Sequence, residues 1–276
     1  IIGSSGILNL YLICLIIFKK FYYHIHQPII FSYNETDKHA LNNFANIKSM
    51  YKNMDLLNHF TNKHNSFNFY QKIIIMFRFF LRKKAFLFAK KTFVLSNLAR
   101  TEKKIIYNID SKVIRGGISK NFAILEKTQN LYNSKYINIV SISRLVNDKR
   151  ILETINAVHY SKNKNIKLYI YGSGNKEMEI VKHLATLNNN NIIFRGFLEN
   201  HEKKEVISSA DYLISLGAAD FNLTVIEALY LKTQVILSNE FLYQDKICNK
   251  EAILYTSIEK EQLINFFNKL QKKSLK

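Results

Sequence analysis

The second half of the chain alternates two hydrophobic periods, and this alternation constrains the fold more than any other feature. Residues 136–142, 166–171, 191–194, 212–215 and 234–237 are short apolar runs of strand length. Between them lie amphipathic stretches of helical spacing at 151–160, 176–187, 203–209 and 223–231, and a further one at 259–270 closes the series. A parallel strand pair needs a crossover long enough to hold a helix, so this alternation implies an α/β class built on a parallel sheet. Ligands of such sheets bind beyond the carboxyl ends of the strands. The residues that follow Ile142, Tyr171, Phe194 and Ser215 are therefore the first place to look for a site.

The first half follows the same plan less clearly. Residues 21–31 read as a strand interrupted by His24, His26 and Pro28. A short strand at 92–95 leads to Ser96, a suitable helix N-cap, and a helix at 98–107. Another strand at 112–114 ends at Gly116-Gly117. The polar segment 126–136 reads as a linker, which gives domains at 1–133 and 134–276, and no internal repeat is visible.

Charge separates the two halves. The 276 residues hold 40 Lys and Arg against 21 Asp and Glu, a net charge of +19. Residues 1–133 carry 20 basic and 6 acidic residues, a net of +14, whereas residues 134–276 carry 20 and 15, a net of +5. Such an excess suits a nucleic acid, an anionic membrane surface or an anionic small substrate. No nucleic-acid recognition motif accompanies it, so no specific nucleic-acid partner is expected. Cys14 and Cys248 are the only cysteines, which excludes a disulfide scaffold and a Cys-rich zinc module and fits a reducing compartment. There is no Walker loop, no Gly-x-Ser-x-Gly elbow and no Cys/His grouping at zinc spacing. A bound metal is not expected.

Two stretches bear on membranes. The apolar run at 7–18 falls short of the roughly 20 residues a bilayer span requires. Its basic residues Lys19 and Lys20 follow the run, the reverse of a signal peptide. A cytoplasmic protein is expected. Residues 77–91 interleave aromatics with Arg78, Arg82, Lys83, Lys84, Lys90 and Lys91. On a helix this pattern suits the headgroup layer, peripheral on the inner face of the plasma membrane; the alternative is a core helix with a solvated basic edge.

Four groups of residues carry candidate chemistry. Arg144 and Lys149 follow the strand at 136–142, where an Arg fork and a Lys point charge could clamp a diphosphate, or simply form a solvated basic loop. Gly172-Ser173-Gly174 follows a strand and opens a helix, a place where backbone N–H groups can approach an anion, or a plain tight turn. The third glycine of a dinucleotide fingerprint would fall at Glu177, which argues against a nicotinamide site. Glu227, near the start of an apolar helix, could accept two sugar hydroxyls or serve as a capping-type glutamate. His24 and His26 at a strand end could act on a substrate hydroxyl or be structural.

The order and spacing of these segments resemble the nucleotide-sugar domain of the GT-B glycosyltransferases of family 4, the glycosyl transferases group 1. Val140-Ser-Ile-Ser-Arg-Leu-Val-Asn-Asp-Lys149 is similar to the family's Gly-Arg-Leu…Lys-Gly segment. Leu168-Tyr-Ile-Tyr-Gly-Ser-Gly174 matches its second strand and glycine turn, and Ile192-Ile-Phe-Arg-Gly-Phe197 its following strand and glycine. Ala210-Asp-Tyr-Leu-Ile-Ser215 and Asp220-Phe-Asn-Leu-Thr-Val-Ile-Glu-Ala-Leu229 resemble its signature segment. The segments at 89–97 and 113–122 are similar to the end of the family's acceptor domain, and His24–Pro28 to its histidine-bearing strand. The family's first strand and glycine-rich loop have no counterpart here, which, with Ile1 in place of Met, implies an N-terminally truncated chain.

The resemblance implies two Rossmann-like domains, the first incomplete, and transfer of a sugar from a UDP- or GDP-sugar to a hydroxyl acceptor. It implies retention of configuration, no metal and no further cofactor, with a glycan or lipid-linked acceptor in cell-surface polysaccharide or glycolipid synthesis. Arg144 and Lys149 would hold the donor diphosphate and Glu227 the ribose. The backbone around Phe221, Asn222 and Leu223 would approach the sugar, with Gly172, Gly174 and Gly196 lining the nucleotide cleft. Three positions depart from the family. Ala219 stands where a glutamate is usual, with Asp220 beside it as a substitute; Ser143 and Arg150 stand where glycines are usual. Ala219 motivates an alternative, a catalytically impaired partner or stabilising subunit that keeps the fold.

Overall fold

The computed structural model describes residues 22–25, 68–119, 122, 130–217, 222–239 and 250–272. The chain divides into two compact units, one built on residues up to Gly116 and the other on residues from Gly117 onward.

In the first unit, β1 (Tyr22–Ile25), β2 (Lys91–Val94) and β3 (Lys112–Val113) form a parallel sheet in the order β1-β2-β3 among the described residues. The register pairs Tyr22 with Lys91 and Phe93 with Lys112. Helix α1 (Phe69–Phe88) precedes β2, and α2 (Asn97–Tyr107) follows it. The basic–aromatic stretch is therefore not one continuous helix to residue 91, because Lys91 is drawn into the ladder beside Tyr22. The Ser96 hydroxyl caps α2 by accepting the Ala99 N–H at 3.0 Å, as the sequence predicts. Asn108 ends the helix in the left-handed conformation, which asparagine tolerates better than most residues. Of the predicted strand at 21–31, only β1 falls among the described residues.

A lysine lies in the core of this unit. Lys103 is fully buried and donates to Ser111 Oγ, with its Nζ 4.7 Å from the centre of the Phe86 ring. Ser111 Oγ is also 3.1 Å from Thr92 Oγ1, and the Thr92 hydroxyl donates to the Asp110 carbonyl at 3.0 Å. Burial pushes the Lys103 ammonium down to about 7, against an opposing pull from Asp110. Asp110 accepts from Arg100 at 2.8 and 3.0 Å and from the Ser111 N–H at 2.9 Å. These bonds, the Arg100 one foremost, hold its carboxyl at about 2.

The second unit is a parallel sheet of β4 (Ile137–Ile142), β5 (Ile166–Tyr171), β6 (Ile192–Gly196), β7 (Tyr212–Ser215), β8 (Gln234–Ser238) and β9 (Ile253–Thr256). Its order is β6-β5-β4-β7-β8-β9. The helices are α3 (Ile151–Tyr160), α4 (Glu177–Leu187), α5 (Lys203–Ser208), α6 (Leu223–Tyr230) and α7 (Lys260–Lys269). Nearly every residue of β4, β5 and β7 is buried, as expected of strands covered on both faces. On one face Ile139, Leu168, Ile170 and Ile214 join Ile155 of α3, Ile180 of α4 and Phe267 of α7 in a continuous core. On the strand β5, Tyr169 alternates to the other side, where the Tyr132 ring stacks on it at 4.3 Å. The Tyr132 and Tyr171 hydroxyls meet at 3.1 Å. Strand β9 is absent from the sequence reading; it is a four-residue strand at the edge of the sheet, with a polar segment before it.

Candidate functional site

All strands of the larger sheet run parallel, so the loops after β4, β5, β6 and β7 emerge at one edge. Strand order turns around between β4 and β7: the chain builds outward through β5 and β6 on one side, then through β8 and β9 on the other. A reversal of this kind leaves a crevice at the carboxyl ends of the two central strands. The ladder shows it opening, since β4 and β7 pair only at Ile139–Tyr212 and Val140–Leu213. Beyond those pairs the two strands run on to Ile142 and Ser215 without pairing to each other.

The loop after β4 carries Arg144 and Lys149, beyond the carboxyl end of one of the two central strands. Leu145 anchors it, fully buried in the core, and leaves the neighbouring Arg144 exposed. Lys149 closes a short 3-10 turn, Asn147–Lys149, with its N–H on the Val146 carbonyl at 3.0 Å. The following residue, Arg150, has φ 55 and is buried. Its Nη1 donates to the Leu216 carbonyl at 3.1 Å, joining the loop after β4 to the chain just beyond β7. A glycine would adopt that backbone freely; the arginine side chain adds a bond across the crevice floor.

The glycine turn after β5 packs against the same loop. Leu145 N–H donates to the Ser173 carbonyl at 2.9 Å, and Lys176 N–H to the Leu145 carbonyl at 3.0 Å. A Cβ on Gly172, whose φ is +144, would stand 1.9 Å from the Ser143 carbonyl oxygen. One on Gly174 would stand 2.4 Å from the Leu145 carbonyl oxygen. Both glycines are thus accounted for by the close approach of two backbones. Gly172 N–H donates to the Gly196 carbonyl at 2.7 Å, which adds the end of β6 to the same floor.

The wall after β7 ends at α6. Asn222 caps this helix, its Oδ1 accepting the Thr224 N–H at 3.0 Å, while its Nδ2 donates to Ser215 Oγ at 3.0 Å. One side chain therefore fixes the helix start and ties it to the strand end. Leu223 is exposed beside it, and Glu227 lies one turn further along, buried. Lys203 at the start of α5 brings its Nζ to 2.5 Å from Glu227 Oε2, a contact of charges without an aligned hydrogen bond to that oxygen. The sequence contains no signal for this pair, because the residues are far apart in the chain and on different helices.

Of the residues singled out from the sequence, Arg144, Lys149, Gly172, Gly174, Gly196, Asn222 and Leu223 stand at this edge, with Glu227 in the helix that follows. His26, Asp220 and Phe221 lie outside the described residues, and His24 is described only as a member of β1. The bond from Arg150 to the Leu216 carbonyl and the approach of Lys203 to Glu227 are additions that only the tertiary structure reveals. No group of His, Cys, Asp or Glu that could hold a metal ion occurs among the described residues.

A profile of the glycosyl transferases group 1 matches residues 123–274, more than half of the chain. The chain belongs to this family. Membership of the glycosyl transferases group 1 agrees with solved structures of GT-B glycosyltransferases that share the fold. Anabaena HepE, in complex with UDP and glucose, is 16% identical over 96% of this chain and 65% of its own, with a TM-score of 0.66. WaaG, a glycosyltransferase involved in lipopolysaccharide biosynthesis, is 15% identical over 65% of this chain and 53% of its own, with a TM-score of 0.55. The pneumococcal O-GlcNAc transferase GtfA, in complex with UDP and GlcNAc, is 16% identical over 68% of this chain and 38% of its own, with a TM-score of 0.53. The chain thus spans between 38% and 65% of these relatives' lengths. No curated protein matches it. At Arg150, where the resemblance led to the expectation of a glycine, the chain keeps a glycine-like left-handed backbone.

Proposed function

We propose that the chain transfers a sugar from a UDP- or GDP-sugar to a hydroxyl of a glycan or lipid-linked acceptor. The reading includes retention of configuration, independence from metal, and a place in cell-surface polysaccharide or glycolipid synthesis at the cytoplasmic face of the plasma membrane. The observation that carries it is the pair of cations on the loop after β4, at the reversal of strand order. In the reaction the acceptor oxygen bonds to the anomeric carbon as the bond to the diphosphate oxygen breaks. Negative charge grows on the departing diphosphate, so Arg144 and Lys149 stabilise the transition state more than the bound donor. Glu227 would accept ribose hydroxyls, the backbone at Phe221–Leu223 would face the sugar, and Gly172, Gly174 and Gly196 would floor the nucleotide cleft. His24 and His26 would stand on the acceptor side, and Asp220 would replace the glutamate missing at Ala219.

The test is nucleotide release from a panel of UDP- and GDP-sugars by the purified chain. Arg144→Ala or Lys149→Ala is expected to lower the rate by about 10²–10³. No release with any donor, together with no saturable UDP or GDP binding, overturns the proposal.

Ala219 favours a second reading, a partner subunit with an impaired donor site. Under it the native chain binds nucleotide but turns over slowly, and Ala219→Glu raises turnover strongly. A native chain that is already active refutes it.

A further inference from the structure

The first unit holds a cavity of about 580 Å³ that the proposed sugar transfer does not use. The starts of β2 and β3, the first turn of α2 and the segment just after β3 line it. Five cationic residues stand around it: Lys90, Lys91, Arg100, Lys112 and Arg115. Among the described residues that line it Asp110 alone is acidic, and both of its carboxylate oxygens accept from Arg100. Charge of one sign gathered in a concave site concentrates its field on whatever enters.

Two buried hydroxyls belong to the same lining. Thr92 and Ser111 are each 6% exposed, and their oxygens lie 3.1 Å apart. The fully buried Lys103 donates to the Ser111 hydroxyl from within the core. An amine buried in this way costs the fold stability unless a counter-charge approaches it. Around it the unit provides the Phe86 ring of α1, the hydroxyls of Thr92 and Ser111, and Asp110, a carboxylate already engaged by Arg100. Cations gathered beside a buried amine repel it and one another, and a multiply charged anion among them reverses the sign of that interaction. Lysine point charges, an arginine fork and hydroxyl donors are the groups that hold phosphate oxygens. The volume lies in the range of small-molecule sites.

We propose that this cavity is a second anion site, in a different unit from the donor residues, and that it takes a small phosphate-bearing ligand. Lys91, Lys112 and Arg115 surround the phosphate oxygens, with the hydroxyls of Thr92 and Ser111 completing the lining. Of the three kinds of anionic partner that the charge of the first half suits, the cavity fits the small one. The site is independent of the donor reading, because none of its residues belongs to the loop after β4 or to α6.

The experiment is calorimetry of inorganic diphosphate with the full chain carrying Arg144→Ala/Lys149→Ala, which removes the cations assigned to the donor and leaves the cavity lining unchanged. At about 0.15 M salt one saturable site per chain is expected, at least about tenfold weaker once Lys91→Gln/Lys112→Gln is added. Lys91→Arg/Lys112→Arg keeps both charges and is expected to retain the binding, which separates lost charge from lost folding. Absence of saturable binding, or binding that Lys91→Gln/Lys112→Gln leaves unchanged, overturns the proposal. So does loss of binding in Lys91→Arg/Lys112→Arg as complete as in the glutamine variant. Competition then identifies the source of the phosphate. Displacement of diphosphate by a soluble sugar phosphate supports a dissolved ligand, and displacement by phosphatidic acid vesicles alone supports a lipid headgroup in the same site.

Discussion

Arg150 Nη1 lies 3.1 Å from the carbonyl oxygen of Leu216, a bond that spans the two strands where their pairing has ended. The arginine holds a left-handed backbone to make it. That conformation costs a non-glycine residue about 1–2 kcal/mol, so the buried bond must offset strain that a glycine would not carry. Arg150→Ala keeps the strain and leaves the carbonyl without this donor; a loss of about 2–3 kcal/mol is expected by urea unfolding. Arg150→Gly loses the same bond but relaxes the backbone, and is expected to be the more stable of the two by about 1 kcal/mol. The opposite order would show that the backbone at this position carries no strain.

Gly172 and Gly196 differ in what surrounds them, although both have positive φ. A Cβ on Gly172 would strike the Ser143 carbonyl, whereas one on Gly196 would meet nothing within 4 Å. Gly172→Ala is expected to cost more than about 3 kcal/mol and to displace the loop that carries Arg144. Gly196→Ala carries only the backbone term, about 1–2 kcal/mol. Equal unfolding midpoints for the two variants would contradict the packing described for the glycine turn.

The Lys203–Glu227 contact separates a structural role from a ligand role. Removing either partner leaves a largely buried charge uncompensated, so Lys203→Met and Glu227→Leu are each expected to lose about 3 kcal/mol. The double variant Lys203→Met/Glu227→Leu is expected to recover most of that loss. If Glu227 holds the ribose, the double variant regains stability without regaining UDP affinity, measured by calorimetry. Recovery of both would leave the glutamate a packing role only.

Lys103 makes stability depend on pH in the alkaline direction. Its folded-state value is about 7, and the unfolded chain keeps the proton up to the ordinary 10.5. Between those values the unfolded state binds more protons, so stability rises with pH across that window, and below about pH 7 the full penalty of the buried charge is present. Lys103→Met is expected to remove this slope and to stabilise the first unit at neutral pH by roughly 1–2 kcal/mol. Ser111 and Thr92 would still bond to each other. Identical pH profiles for parent and variant would show that Lys103 is not held neutral by burial.

Much of the larger unit was legible because its signals are local. A helix at 151–160 and strands at 166–171 and 212–215 were read at the bounds the structure has, since burial on a sheet or helix face imposes a short-range period on the residues themselves. The edge strand β9 (Ile253–Thr256), which escaped, is no longer or shorter than β7, but it lies at the sheet margin with Tyr255 exposed and lacks the burial on both faces that marks a central strand. In the site, the place of Arg144 and Lys149 after a parallel strand followed from chain order alone. The work of Gly172 and Gly174 did not, because the backbone each would strike belongs to the loop after β4, almost thirty residues earlier.

The sequence by itself determined the α/β class, the elements of the larger unit and the edge where a ligand would bind. Only the tertiary structure decided that Arg150 turns inward to Leu216, that Lys203 meets Glu227 and that Lys103 lies in the core. The division has one physical cause. Periodicity is written along the chain, whereas the partner of a charge or of an apolar face depends on which distant segment the fold places beside it.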